Sequence, residues 1–244
     1  MDDVILNVGV IGLGRMGGCH VRNLAHHVGA SEVVAIMDPD KELAKVFAKE
    51  CAAAIFTDAL ELINDETVDA VVIASPDPTH PDLAIACIEA GKPVLCEKPL
   101  GIDIAGANRV LEAEVASGRR LVQVGLMRIY DPQHTALKQA LDDGVASRPL
   151  LFRGIHKNAR VGNRVRTAVD VIVNSAVHDI HSARWFLKDD VSVVYANHII
   201  DVPERPETAR FVLLQMKFRG GGLATIEVDA DSYGYEVNVD ISGK

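Results

Sequence analysis

Val4-Ile5-Leu6-Asn7-Val8-Gly9-Val10-Ile11-Gly12-Leu13-Gly14-Arg15-Met16-Gly17 is the stretch that decides how the first half of this chain folds. Val4 to Ile11 is an almost continuous apolar run, which predicts a strand buried on both faces, as in a parallel sheet. Gly12, Gly14 and Gly17 then fall in the spacing G-x-G-x-x-G, and Met16 to His27 reads as a helix. A strand, a glycine loop and a helix in this order predict a dinucleotide site. Gly12 permits the tight turn, Gly14 lets a pyrophosphate approach the backbone, and Gly17 lets helix and strand pack closely. The helix start, with Arg15 and Met16, offers amides and positive potential to phosphates. A second strand, Glu32 to Met37, ends at Asp38, twenty-one residues past Gly17. A carboxylate there accepts hydrogen bonds from both ribose hydroxyls and repels a 2′-phosphate. No arginine follows in Pro39-Asp40-Lys41, so the expected cofactor is NAD.

Working outward, strands and helices alternate. Helices are expected at Lys41 to Glu50, Ala59 to Ile63, Asp82 to Ala90 and Ile104 to Ala116, with strands at Ala70 to Ala74, Val94 to Cys96 and Leu121 to Gly125. This rhythm predicts a doubly wound parallel sheet. It changes near residue 125. A helix at His134 to Leu141 and a strand at Leu150 to His156 precede an amphipathic helix, Asn174 to Leu187. Strands then follow at Ser192 to Ile199, Arg210 to Phe218, Leu223 to Asp229 and Tyr235 to Ile241, with a turn at Gly220-Gly221-Gly222. Consecutive strands predict a largely antiparallel open sheet. The expected class is therefore α/β followed by α+β, with a cofactor domain over 1–124 and a substrate domain over 125–244.

Composition narrows the functions. A hydrophobic fraction of 48% with only 5% aromatic residues suits an aliphatic α/β core and argues against disorder. A net charge of −9 repels phosphate backbones and anionic lipid, so neither nucleic acid nor membrane is an expected partner. The four cysteines, Cys19, Cys51, Cys87 and Cys96, form no C-x-x-C pair, which suits a reduced, cytoplasmic setting. Met1-Asp2-Asp3 lacks the basic flank of a secretion signal.

Two places outside the glycine loop carry chemistry. Lys98, in Glu97-Lys98-Pro99, follows a strand of the first sheet, and open parallel sheets bind ligands at the carboxyl ends of their strands. Asn174, His178 and His181 fall at i, i+4 and i+7, one face of a regular helix. A histidine there can take a proton near neutral pH, as alcohol dehydrogenation requires; taken singly, each histidine reads better as part of a polar surface face or as a satisfied core residue. Two histidines at i, i+3 without a third placed ligand do not make a metal site, and none is expected.

Together these pieces resemble the Gfo/Idh/MocA oxidoreductase family, and within it the inositol 2-dehydrogenase branch. The markers are Gly12 to Gly17, Ala74-Ser75-Pro76 with His80, Glu97-Lys98-Pro99, Gln123 to Arg128 with Tyr130-Asp131, and Val177-His178-Asp179 with Arg184-Trp185. Met127-Arg128 and His156-x-Asn158 resemble the inositol branch. The resemblance implies a Rossmann domain and NAD-dependent oxidation of a cyclic polyol or sugar. It places Lys98, His178 and Asn174 in the catalytic group, Lys98 as donor to the reacting oxygen and His178 as proton acceptor. It places Ser75, Pro76, His80 and Glu97 at the nicotinamide end, and Arg128, His156, Asn158, Ser175 and Tyr235 on the remaining hydroxyls. Asn174 departs from the family pattern, which carries aspartate there; an amide cannot hold negative charge. The resemblance also implies a homodimer or homotetramer, and further sheet and helix beyond Lys244. Two other readings stay open: the same fold acting on an aldose or sugar derivative, and an NAD-binding sensor or partner protein without chemistry.

Overall fold

The computed structural model describes residues 5–145, 148–160 and 165–244; the expected strand start at Val4 lies outside them. The chain forms two compact units, Met1–Gly125 and Leu126–Lys244.

In the first unit, strands and helices alternate along the chain: β1 (Leu6–Ile11), α1 (Arg15–His26), β2 (Ser31–Met37), α2 (Lys41–Cys51), β3 (Ala54–Phe56), α3 (Ala59–Asn64), β4 (Ala70–Ile73), α4 (His80–Glu89), β5 (Val94–Cys96), α5 (Ile104–Ser117) and β6 (Val122–Val124). The strands pair in parallel in the order β3-β2-β1-β4-β5-β6. This is the doubly wound sheet expected from the apolar runs, with β3 as an additional edge strand. Both faces of the sheet are covered. Val71 and Ile73 of β4 join one core with Leu62, Cys87 and Val110, while Val72 joins another with Val10, Val21 and Phe47. Alternate residues of one strand thus serve opposite faces, which explains why the run carries no polar alternation. Helix starts are fixed locally. The Asp40, Asp58 and Asp103 side chains accept from first-turn amides of α2, α3 and α5, groups a helix cannot satisfy internally. The chain order reverses between β1 and β4, so a crevice opens beyond their carboxyl ends.

The second unit holds α6 (Pro132–Asp142), β7 (Pro149–Ala159), α7 (Ala168–Val171), a π-helical turn over Ile172–Ala176, α8 (Val177–Leu187), β8 (Val191–Ile199), β9 (Phe211–Phe218), β10 (Leu223–Ser232) and β11 (Glu236–Gly243). The sheet order is β11-β7-β10-β9-β8. It is antiparallel except for the β7–β10 pair. The turn at Gly220-Gly221-Gly222 joins β9 to β10 as expected, with Gly221 at φ +92°. The last two strands, however, are not neighbours: β7 lies between β10 and β11, because that earlier strand has already paired with β10. Val212, Leu214, Met216 and Phe218 of β9 and Ala224, Ile226, Val228 and Ala230 of β10 turn to one face and pack with Phe152 and Phe186. The expected uniform helix from Asn174 is interrupted: residues 172–176 are π-helical, which changes the phase of Asn174 relative to His178.

Phe152 is fully buried, and its ring stacks on that of Phe186 with centroids 6.1 Å apart. Phe152→Ala is expected to lose about 3–5 kcal/mol of stability, read by chemical denaturation; a loss under about 1 kcal/mol would contradict its place in the core.

Candidate functional site

The glycine loop is built by contacts that exclude side chains. A Cβ on Gly17 would lie 1.7 Å from the Gly12 carbonyl oxygen, so α1 packs on the end of β1 with no room for alanine. Gly12 sits at φ +85°, and a Cβ there would lie 2.6 Å from the Ser75 amide nitrogen. At Gly14, by contrast, a Cβ would meet nothing within 4 Å: the backbone here faces open space. Gly14 caps α1 without any side-chain hydrogen bond, and no acidic residue occupies the first turn. The amides at this end are thus suited to an anion.

Beside the loop lies a cavity of about 650 Å³, lined by Gly12, Gly14, Asp38, Ser75, Pro76 and Thr79 among others. Four residues expected at the cofactor site therefore share one cavity with Asp38. The Asp38 carboxylate is held in place, accepting from the Leu13 amide at 2.7 Å through Oδ2 and from the Asp40 amide at 2.8 Å through Oδ1. Each oxygen keeps a second lone pair for a ribose hydroxyl. Arg15 and Met16 begin α1 and are exposed. These features fit a dinucleotide.

Glu97, Lys98 and Pro99 follow β5. The Glu97 amide donates to the Ile73 carbonyl of β4 at 2.9 Å, and the Gly125 amide to the Cys96 carbonyl at 2.7 Å, so the turn is tied to both neighbouring strands. His20 of α1 reaches Glu97 Oε1 at 2.8 Å. Burial pushes the Glu97 carboxyl up, but the His20 hydrogen bond and charge, with those of Lys98, outweigh it and hold the group below its ordinary range. His80 is buried, with Nδ1 2.7 Å from the Pro99 carbonyl and Nε2 2.9 Å from the Ser75 carbonyl. Nothing in residue order marks the His20–Glu97 pair, whose members lie 77 residues apart.

In the second unit, Arg128 Nη2 donates to the Tyr235 hydroxyl at 3.3 Å, and the His156 ring meets the Tyr235 ring edge-on with centroids 5.8 Å apart. The Asn158 amide donates to the Ser175 hydroxyl at 3.0 Å. All five residues expected to hold hydroxyls thus take part in polar or ring contacts with one another. His178 is buried in the first turn of α8, and Asn174 is exposed in the π-helical turn. His156 Nδ1 lies 2.9 Å from Asp179 Oδ2, and both side chains are buried. The carboxylate accepts a hydrogen bond from Nδ1–H and so fixes the orientation of the ring. Asp179 stood in the Val177-His178-Asp179 motif but had no role from sequence; its signal was a carboxylate at helical spacing from Ala176 and Ala183. Burial, then the Arg184 charge, lowers the His181 imidazole below its ordinary value, so His181 favours its neutral form. Among the described residues no cluster suits a metal ion, and no helix is long and apolar enough to cross a membrane.

Comparisons with known proteins match both units. Residues 6–126 match the model of an oxidoreductase family with an NAD-binding Rossmann fold, and residues 134–244 match the GFO/IDH/MocA C-terminal domain. The chain is 44% identical to an inositol 2-dehydrogenase of Rubrobacter xylanophilus, over 100% of this chain and 70% of that one. It is 39% identical to inositol 2-dehydrogenase 2 of Saccharopolyspora erythraea, over 98% and 71%. Its fold is similar to that of the Lactobacillus casei myo-inositol dehydrogenase solved with NAD(H) and myo-inositol, with a TM-score of 0.91 at 28% identity, covering 98% of this chain and 72% of that one.

Asp38→Ala is expected to weaken NAD binding about tenfold, a loss of about 1.4 kcal/mol, and to narrow the preference over NADP. Fluorescence titration with both dinucleotides checks this; an unchanged ratio of affinities would count against a ribose role for Asp38.

Proposed function

The chain belongs to the Gfo/Idh/MocA family of NAD-binding oxidoreductases, and from that premise we propose that it oxidises a ring hydroxyl of a cyclic polyol of the myo-inositol type to a ketone. The observation that carries this reading is the polar group of the second unit, in which Arg128 meets Tyr235, Tyr235 meets His156, and Asn158 meets Ser175. A polyol presents many hydroxyls, and each one buried without a partner costs about 1–3 kcal/mol. A site for it needs side chains that both donate and accept, and this group supplies them.

NAD, when bound, supplies the acceptor for the hydride that leaves the carbinol carbon. The Lys98 ammonium donates to the reacting oxygen and stabilises the negative charge that develops there. The His178 imidazole takes the hydroxyl proton, so that oxygen becomes the carbonyl. His156, oriented by Asp179, and Asn158 hold neighbouring hydroxyls. Asn174 stands where the family pattern has a carboxylate, and it can hydrogen-bond but not carry charge. That residue is the one feature favouring an NAD-binding protein without turnover. We further propose a cytoplasmic setting, which suits four free thiols. The same proposal includes a homodimer or homotetramer; the exposed Val194, Tyr195 and Ile199 of β8 support association through the second sheet.

NADH formation with myo-inositol, read by absorbance, is the direct test, and no NADH from any of a panel of inositols, sugars and sugar acids would leave only the non-catalytic reading. Lys98→Ala is expected to lower kcat by at least about 10²-fold while NAD still binds. Asn174→Asp is expected to raise kcat; a fall would show that the amide itself is what this site uses.

A further inference from the structure

The lysine turn is gripped from inside the first unit by a histidine in an unusual position. His80 begins α4, is 1% exposed, and has an oxygen within hydrogen-bond distance of each ring nitrogen: the Pro99 carbonyl at 2.7 Å from Nδ1 and the Ser75 carbonyl at 2.9 Å from Nε2. A carbonyl oxygen only accepts. A neutral imidazole has one N–H and serves one of the two, leaving a nitrogen lone pair facing a carbonyl lone pair in a buried place. Buried polar groups are rarely left so, because the unmade bond costs the full desolvation of the group. Donating to both carbonyls takes both ring protons.

We propose that His80 is a positioning residue for Lys98: its imidazolium ring donates from both nitrogens, clamping the turn after β5 to the turn after β4. Ser75 lines the cavity beside Gly12 and Gly14, and Pro99 directly follows Lys98. The ring therefore fixes the lysine turn relative to the wall of the cofactor cavity. It does so from beneath, with both nitrogens committed to backbone. This gives His80 a task other than the expected contact with the nicotinamide. The inference rests on the reading of Lys98 as donor to the reacting oxygen, where a displacement of about 1 Å can cost about 10²-fold in rate.

Two measurements test it. Nitrogen-15 NMR of the ring in the wild-type chain near neutral pH should show a proton on both His80 nitrogens; one bare nitrogen would overturn the proposal whatever the variants do. In kinetics with NAD and myo-inositol, His80→Ala should lower kcat by about tenfold or more with little change in the affinity for NAD. An asparagine amide can occupy the place of Nδ1 and a glutamine amide that of Nε2. His80→Asn restores the bond to Pro99 and should recover most of the kcat lost in the alanine variant, whereas His80→Gln restores only the bond to Ser75 and should recover less. Equal recovery by both, or no loss in any of the three, would overturn the assignment. Lys98→Ala measured alongside separates the two claims. If it is inactive while the His80 variants match wild type, only the clamp fails; if it turns over normally, the role of Lys98 fails first.

Discussion

The absence of space at Gly17 is the constraint on which the first unit depends. With 1.7 Å between a would-be Cβ and the Gly12 carbonyl oxygen, helix and strand meet backbone to backbone. That contact sets where α1 starts, and so where its unsatisfied amides are presented. The same turn brings the Leu13 amide onto the Asp38 carboxylate at 2.7 Å, joining the glycine loop to the end of β2. Any side chain at position 17 would push α1 away and separate these two elements. The cofactor site is thus a consequence of packing before it is a set of ligands.

A second consequence appears two strands along the sheet from β1, at β5. His20 lies on α1, and its contact with Glu97 ties that helix to the residue before Lys98. Gly125 closes the other side: a Cβ there would lie 3.0 Å from Glu97 Oε2. The turn after β5 is therefore held by its neighbouring strands, by α1 through Glu97, and by α4 through His80. A lysine has four rotatable bonds in its stem and gains little from a fixed backbone unless the backbone is fixed accurately. Several independent restraints on three residues meet that need.

What could be read from residue order follows from what each signal requires. The parallel strands were legible because burial on both faces leaves continuous apolar runs, and the glycine loop because its spacing is set by sterics. The edge strand β3 was not: Ala54, Ile55 and Phe56 are three residues with two of them exposed, too short for a period to show. The phase of Asn174 departs from the regular spacing for a different reason. Counting i, i+4, i+7 assumes 3.6 residues per turn, and the π-helical turn at 172–176 breaks that assumption at the position where it was used. The pairs His20–Glu97 and His156–Asp179 span 77 and 23 residues. Nothing local marks such partners, because the fold alone brings them together. Lys98 could be singled out from its place after a strand, but the bonds that hold its turn could not.

The electrostatics of the second unit turn on where a carboxylate is kept and where it is not. Asp179 is 1% exposed, bonded to His156 through Oδ2, with Oδ1 lacking a hydrogen-bond partner. Asn174 is exposed. A charge acts more strongly where water is excluded, since interaction energy scales inversely with the effective dielectric. Replacing an exposed carboxylate by an amide removes a field that solvent already weakens. Replacing the buried one would remove a carboxylate that water screens less, together with its hydrogen bond to His156. The chain thus carries an amide at the exposed position 174 and a carboxylate at the buried position 179, where it orients an imidazole.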